Sequence, residues 1–207
     1  IYRGDTNGFL INGALHTIRG AGNIGWSGIP TAFTNDGAVL AEGVNPLIVD
    51  CSAGVTNTGL MQASAGTLRI QGSGTLDNSA GVIEALDGEV VELGGSVTVT
   101  GGELTSAGTG VIRSISANPT LNGSASTVIN NAAIEIPNSA RLRLSGEVEN
   151  NGSIALQDSG SDTYLHPLDG PVTLSGDGEL TLTDSPTNWI YRGSSTGALV
   201  NGPTHTI

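Results

Sequence analysis

The first eighteen residues of the chain return at its end. Ile1-Tyr2-Arg3-Gly4-Asp5-Thr6-Asn7-Gly8-Phe9-Leu10-Ile11-Asn12-Gly13-Ala14-Leu15-His16-Thr17-Ile18 aligns without a gap on Ile190-Tyr191-Arg192-Gly193-Ser194-Ser195-Thr196-Gly197-Ala198-Leu199-Val200-Asn201-Gly202-Pro203-Thr204-His205-Thr206-Ile207, with eleven identities and one constant offset from Ile1/Ile190 to Ile18/Ile207. A unit that begins again after a fixed interval is the signature of a repeat architecture, in which each copy packs on the next. The expected organisation is therefore one continuous segment over residues 1–207, with residues 1–189 forming one long repeat and 190–207 opening the next.

A finer period runs inside the long one. Asn or Gly followed by a short alternating strand recurs at Asn35, Asn57, Asn78, Gly101, Asn130-Asn131, Asn150-Asn151, Asp177 and Asn201. Successive markers are spaced by roughly 20–30 residues, within the range of one solenoid coil. Midway between markers a second strand appears, as in Leu47-Ile48-Val49, Leu68-Arg69-Ile70, Val91-Glu92-Leu93, Leu142-Arg143-Leu144 and Val172-Thr173-Leu174. Apolar outer members and a charged or polar middle member give an inward-outward-inward strand. Gly or Pro interrupts nearly every window long enough for a helix. The chain is thus expected to be all-β, a right-handed parallel β-helix of eight coils per repeat. Asn35, Asn57, Asn78, Asn131, Asn151 and Asn201 would sit at its corners, where Asn tolerates the tight backbone and its amide can stack. Val49, Ile70, Leu93, Leu144 and Leu174 would form one inward ladder. The two overlong coils place their excess in projecting loops around Ser114–Gly123 and Ser159–Pro167.

Composition fits a thin stack better than a globule: there are 32 Gly against 2 Trp, 3 Tyr and 2 Phe. Net charge is −12, and all seven cations are arginines scattered along the chain, so nucleic acid is not an expected partner. The single cysteine, Cys51, lies in an apolar run and reads as a small buried hydrophobe. No apolar stretch reaches the roughly 20 residues of a membrane helix.

The phrase His16-Thr17-Ile18-Arg19-Gly20-Ala21-Gly22-Asn23-Ile24-Gly25 and the Asn-x-Gly strand openings resemble the right-handed β-helix repeats of giant bacterial surface proteins. These include adhesin and autotransporter passenger stalks and planctomycete-type fibre proteins. The resemblance implies a structural, extracellular fibre at the cell surface, without cofactor or metal. Its partners would be further copies of the same repeat, with lateral bundling and a surface or polysaccharide target as further expectations.

A β-helix can also carry a carbohydrate-active enzyme or an adhesive sugar-binding module. An enzyme needs carboxylates converging on one face. The candidates are Asp158 and Asp162 beside His166, and Asp177 with Glu179, each expected as solvated surface. Trp26, Trp189, Tyr2 and Tyr191 are expected to cap or pack coils, with a sugar platform as the alternative. His16 and His205 are one repeated feature, expected as a corner residue, the alternative being a titratable contact between segments.

Overall fold

The computed structural model describes residues 8–26, 31–116 and 118–207. Tyr2 and Gly4 lie outside them. Among the described residues there is no helix, and every pairing between strands is parallel. The chain winds as a β-solenoid of about eight turns, each turn visiting three faces in the same order.

Face 1 stacks Phe9–Asn12, Ala32–Asn35, Val55–Asn57, Thr75–Asp77, Thr98–Thr100, the starts of Thr120–Asn131 and Arg141–Asn150, then Thr163–Pro167 and Asn188–Ile190. Face 2 stacks Thr17–Gly20, the starts of Ala38–Asp50 and Leu60–Gln71, Val82–Ala85, Gly102–Ser106, the ends of Thr120–Asn131 and Arg141–Asn150, Pro171–Ser175 and Ala198–Asn201. Face 3 stacks Gly22–Ile24, the ends of Ala38–Asp50 and Leu60–Gln71, Val90–Leu93, Val111–Ser114, Ala133–Pro137, Ser153–Gln157 and Glu179–Leu182.

Strand alternation sends one side chain in two to the interior, and each inward residue meets its equivalent one turn away. Val49, Ile70, Leu93, Leu144 and Leu174 are all buried, but they belong to three ladders rather than one. Val49, Ile70 and Leu93 follow Ile24 on face 3. Leu144 ends the face 1 series Phe33, Val55, Leu76, Val99, Leu121, and Leu174 follows Val128 and Val148 on face 2. Each fully buried Leu or Ile in these columns contributes about 1.5–3 kcal/mol. Cys51 is buried among them, and burial first, then Asp50, pushes its thiol well above the ordinary range.

The expected projecting loops are borne out only in part: residues 159–162 form an exposed bend, but the rest of that segment and the end of the other are strand. Thr120–Asn131 and Thr163–Pro167 stack in register on face 1 with Leu121 and Leu165 fully buried. The long spacing from Gly101 to Asn130 has another cause, which lies in the corners.

Asn12, Asn35, Asn57 and Asn78 turn the chain from face 1 to face 2. Each amide donates to the next: Asn12 to Asn35, Asn35 to Asn57 and Asn57 to Asn78, all at 2.7 Å. The second amide hydrogen goes to a strand carbonyl, as from Asn35 to Leu60 at 3.0 Å. Buried amides are thereby satisfied in a line, where an unpaired one costs about 1–3 kcal/mol. The Asn-x-Gly spelling follows from the stacking: a Cβ on Gly59 would lie 2.0 Å from the carbonyl oxygen of Gly37 one turn below.

From Thr120 onward the asparagines change corner. Thr120–Asn131 and Arg141–Asn150 run unbroken from face 1 to face 2, the first with a register shift between Gly123 and Val128 and the second bending where Gly146 adopts φ 70°. The stacked amides are now Asn130 and Asn150, linked at 2.6 Å, at the turn from face 2 to face 3. Asn131 and Asn151 flank that corner but face outward, joined to each other at 3.1 Å, so the inward amide is one residue earlier than expected. The long interval between Gly101 and Asn130 contains one turn plus one extra face.

Candidate functional site

Two places draw together residues singled out in the sequence. The first is the corner where the repeated segment lands. Phe9–Asn12 lies on face 1, whereas its equivalent Ala198–Asn201 lies on face 2. Eight steps up face 1 lead from Phe9–Asn12 to Asn188–Ile190, and Ala198–Asn201 is one face further on. The two copies of the segment are therefore separated by eight and one third turns, not the whole number that equal coils would give.

Asn201 accordingly arrives at the same corner as Asn130 and Asn150. His205, 5% exposed, fills the gap between them. Its Nε2 lies 2.9 Å from the Asn150 amide nitrogen and its Nδ1 lies 2.8 Å from Asn201 Oδ1. A neutral ring with hydrogen on Nδ1 satisfies both contacts, since Asn150 donates to Nε2 while Nδ1 donates to Asn201. Burial lowers the His205 pKa, favouring that neutral form. His16, the equivalent residue of the first copy, is exposed. The two histidines share a turn, in which the Asn amide donates to the His carbonyl at 3.4 Å in one copy and 3.0 Å in the other. Of the two, only His205 has a preceding ladder described beneath it.

The second place is the outer side of face 1 near the C-terminal end. Arg141 and Arg143 are two residues apart on one strand and so point the same way. Stacking sets Tyr164 over Arg141 and His166 over Arg143, and Trp189 over Tyr164. The Arg141 guanidinium sits 4.8 Å from the Tyr164 ring centre. His166 meets Tyr164 and Tyr191 edge-on at 5.0 and 5.8 Å. Arg141, Arg143, His166, Tyr191 and the segment Arg192–Ser195 line a cleft of about 340 Å³. Burial, then the Arg141 and Arg143 charges, pull the His166 pKa down to about 4. Trp189 and Tyr191 are 46% and 56% exposed, yet each packs on the preceding coil, Trp189 over Tyr164 and Tyr191 against His166.

The acidic candidates separate. Asp158 is buried and accepts hydroxyl hydrogen bonds from Ser185 and Thr187, then backbone ones from Gly160 and Ser161. Those bonds hold its pKa at about 2. Asp162 instead takes the Tyr164 hydroxyl and the Trp189 indole N–H, both at 2.9 Å. Neither carboxylate bonds to His166, and Asp162 is linked to it only through Tyr164. Asp177 and Glu179 line a shallow polar recess of about 430 Å³ with Asn131, Asn151, Ser153 and Thr206. Among the described residues no three His, Cys, Asp or Glu side chains group as metal ligands, and no helix is long and apolar enough to cross a membrane.

The arginine cleft is hard to see in the sequence, since its members span Arg141 to Ser195. The signal is the coil length: His166 stands one coil beyond Arg143, and Tyr191 one coil beyond His166. No family model, no curated protein and no solved structure matches the chain.

Proposed function

We propose that this chain is a segment of an extracellular bacterial fibre or stalk, in which long β-solenoid repeats follow one another along a single axis at the cell surface. The observation that carries the reading is the Asn150–His205–Asn201 junction, where the second copy of the repeated segment bonds onto the Asn130–Asn150 ladder that precedes it. An edge strand of a parallel stack is a template for the next strand, and here the sequence that follows is a copy of the sequence that began. The likeness of the Asn-x-Gly coils to bacterial surface repeats supports the cell-surface setting. Partners under this reading are further copies of the repeat, with the solenoid giving reach and stiffness.

The junction also dictates the symmetry. At about 4.8 Å per stacked strand, eight and one third turns raise the axis by about 40 Å per repeat. Each repeat is turned by a third of a revolution, so a surface feature returns to the same face after three. The test is a chain in which residues 19–207 follow Ile207, measured by small-angle scattering and electron microscopy. A rod lengthened by about 40 Å at unchanged cross-section is expected. Two separate bodies, or one that folds back on itself, would end the fibre reading. A straight rod whose equivalent faces align after one repeat would keep the fibre and remove the one-third turn.

A further inference from the structure

The described arginines fall into two groups. Arg19, Arg69 and Arg113 hold Glu42, Glu92 and Glu135 at 2.8, 2.6 and 2.6 Å. Arg141, Arg143 and Arg192 hold no carboxylate among the described residues, although the chain has 19 acidic residues against 7 basic ones. Acid is abundant, yet none is placed at this cleft.

Donors there are left over. The Nε atoms of Arg141 and Arg143, His166 Nε2 and Ser194 Oγ are buried, line the cleft and have no hydrogen-bond partner. His166 itself is only 7% exposed. Buried polar groups without partners each cost about 1–3 kcal/mol, and several converging on one volume describe the complement of a missing acceptor. Guanidinium forks match a planar, two-oxygen anion. Beside them Tyr164 and Trp189 form an aromatic ledge, both rings fixed by hydrogen bonds to Asp162. Together with Asp162 and Tyr191 they line a shallow recess of about 230 Å³ adjoining the cleft through Tyr191. Flat aromatic faces accept the C–H face of a pyranose ring, while a net charge of −12 opposes a densely charged polymer.

We infer that the Arg141–Arg143–His166 cleft binds the carboxylate of an acidic sugar residue of the uronic-acid type, whose ring lies on the Tyr164–Trp189–Tyr191 ledge. Arg141 and Arg143 supply the charge, Ser194 and His166 complete the polar socket, and Tyr191 joins socket to ledge. The site is complete within this chain. Its recurrence once per repeat rests on the fibre reading, because Tyr191, Arg192 and Ser194 belong to the second copy of the repeated segment while Arg141, Arg143 and His166 precede it.

The experiment titrates residues 1–207 with sodium glucuronate, glucose and sodium acetate. Tryptophan fluorescence is followed together with NMR of the tyrosine and histidine ring signals. Glucuronate is expected to saturate with a Kd on the order of 1 mM, with acetate at least about tenfold weaker and glucose without a saturable change. Arg143→Gln should weaken glucuronate at least about tenfold, the loss of a charge-assisted hydrogen-bonding partner, and Trp189→Phe should abolish the fluorescence change while Glu92→Gln leaves binding intact. Far-UV circular dichroism of each variant confirms the fold. Equal affinity for acetate and glucuronate would reduce the cleft to a simple anion site and overturn the saccharide assignment. Binding that ignores Arg143→Gln, or no saturation with any probe, would overturn the site altogether. None of these outcomes bears on whether repeats stack end to end.

Discussion

Two outward rows of the same solenoid show what stacking does with charge. On face 3, Arg69, Glu92, Arg113 and Glu135 occupy successive turns in strict register. Opposite charges directly across a sheet attract, and this row closes on itself, with Gln157 adding a hydrogen bond to Glu135 at 3.1 Å. On face 1, Arg141 with Tyr164 and Trp189, and Arg143 with His166 and Tyr191, form columns of similar geometry whose arginines pair with no carboxylate. The backbone is alike in both places. The difference is that one row meets its electrostatic needs internally and the other leaves them facing solvent, which separates a side chain that maintains the rod from one available to a partner.

That contrast presumes the same interior beneath both rows. Leu68 precedes Arg69 and Leu142 precedes Arg143, and both leucines are fully buried. Replacing either with Asp puts an unpaired carboxylate among aliphatic ladders, at a cost of about 4 kcal/mol or more. Urea denaturation should show both variants largely unfolded. A well-tolerated Leu142→Asp would mean that the strand under the cleft is loosely packed, and the comparison between the rows would fail.

Acid should distinguish the rows next. His166 has a folded-state pKa of about 4 against an ordinary value of 6.5, through burial and then Arg141 and Arg143. A group with a depressed histidine pKa binds more protons unfolded than folded in this window. Stability is therefore full above about pH 6.5 and falls as pH drops toward 4. The loss is on the order of 1–3 kcal/mol. Histidine NMR titration against denaturant midpoints checks it: Arg143→Gln should raise the His166 pKa and shrink the acid loss, whereas Glu92→Gln should leave the titration of His166 unchanged.

Much of this is legible in the sequence, and the reasons for the rest are physical. Alternation in Leu68-Arg69-Ile70 and Val91-Glu92-Leu93 announces strands with one buried side, and Asn35-Asp36-Gly37 announces a corner, because each is a local requirement. Which face a strand occupies is not local. Asn57 and Asn150 carry the same Asn-x-Gly spelling at different corners, so a count of markers runs one face out of step after Gly101. The same slip puts Leu144 in the ladder of Leu93. At Asn130-Asn131 and Asn150-Asn151 two adjacent amides compete for one inward position, and only the pleat decides between them. The arginine cleft depends on residues that meet solely through stacking, so its composition is visible in the sequence and its convergence is not.

The smallest expected effects are the most diagnostic, and they concern the charges themselves. Glu92→Gln deprives Arg69 of a contact at 2.6 Å and removes one of the two acidic neighbours of Arg113, which keeps Glu135. The pair is partly shielded, with side chains 32% and 17% exposed, so a loss of about 1 kcal/mol is expected, shrinking in high salt. Arg143→Gln breaks no ion pair and removes a like charge from beside Arg141 and from beneath His166, so its denaturant midpoint should move by no more than about 0.5 kcal/mol at pH 7. Combining the two substitutions should give additive effects, since the residues share no partner. If Arg143→Gln instead destabilised as much as Glu92→Gln, the cleft arginine would be holding the solenoid together, and the distinction between a self-sufficient row and an open one would collapse. A neutral or slightly stabilising result, with glucuronate binding lost, would mark Arg143 as a residue retained at some cost to the fold for what it contacts outside it.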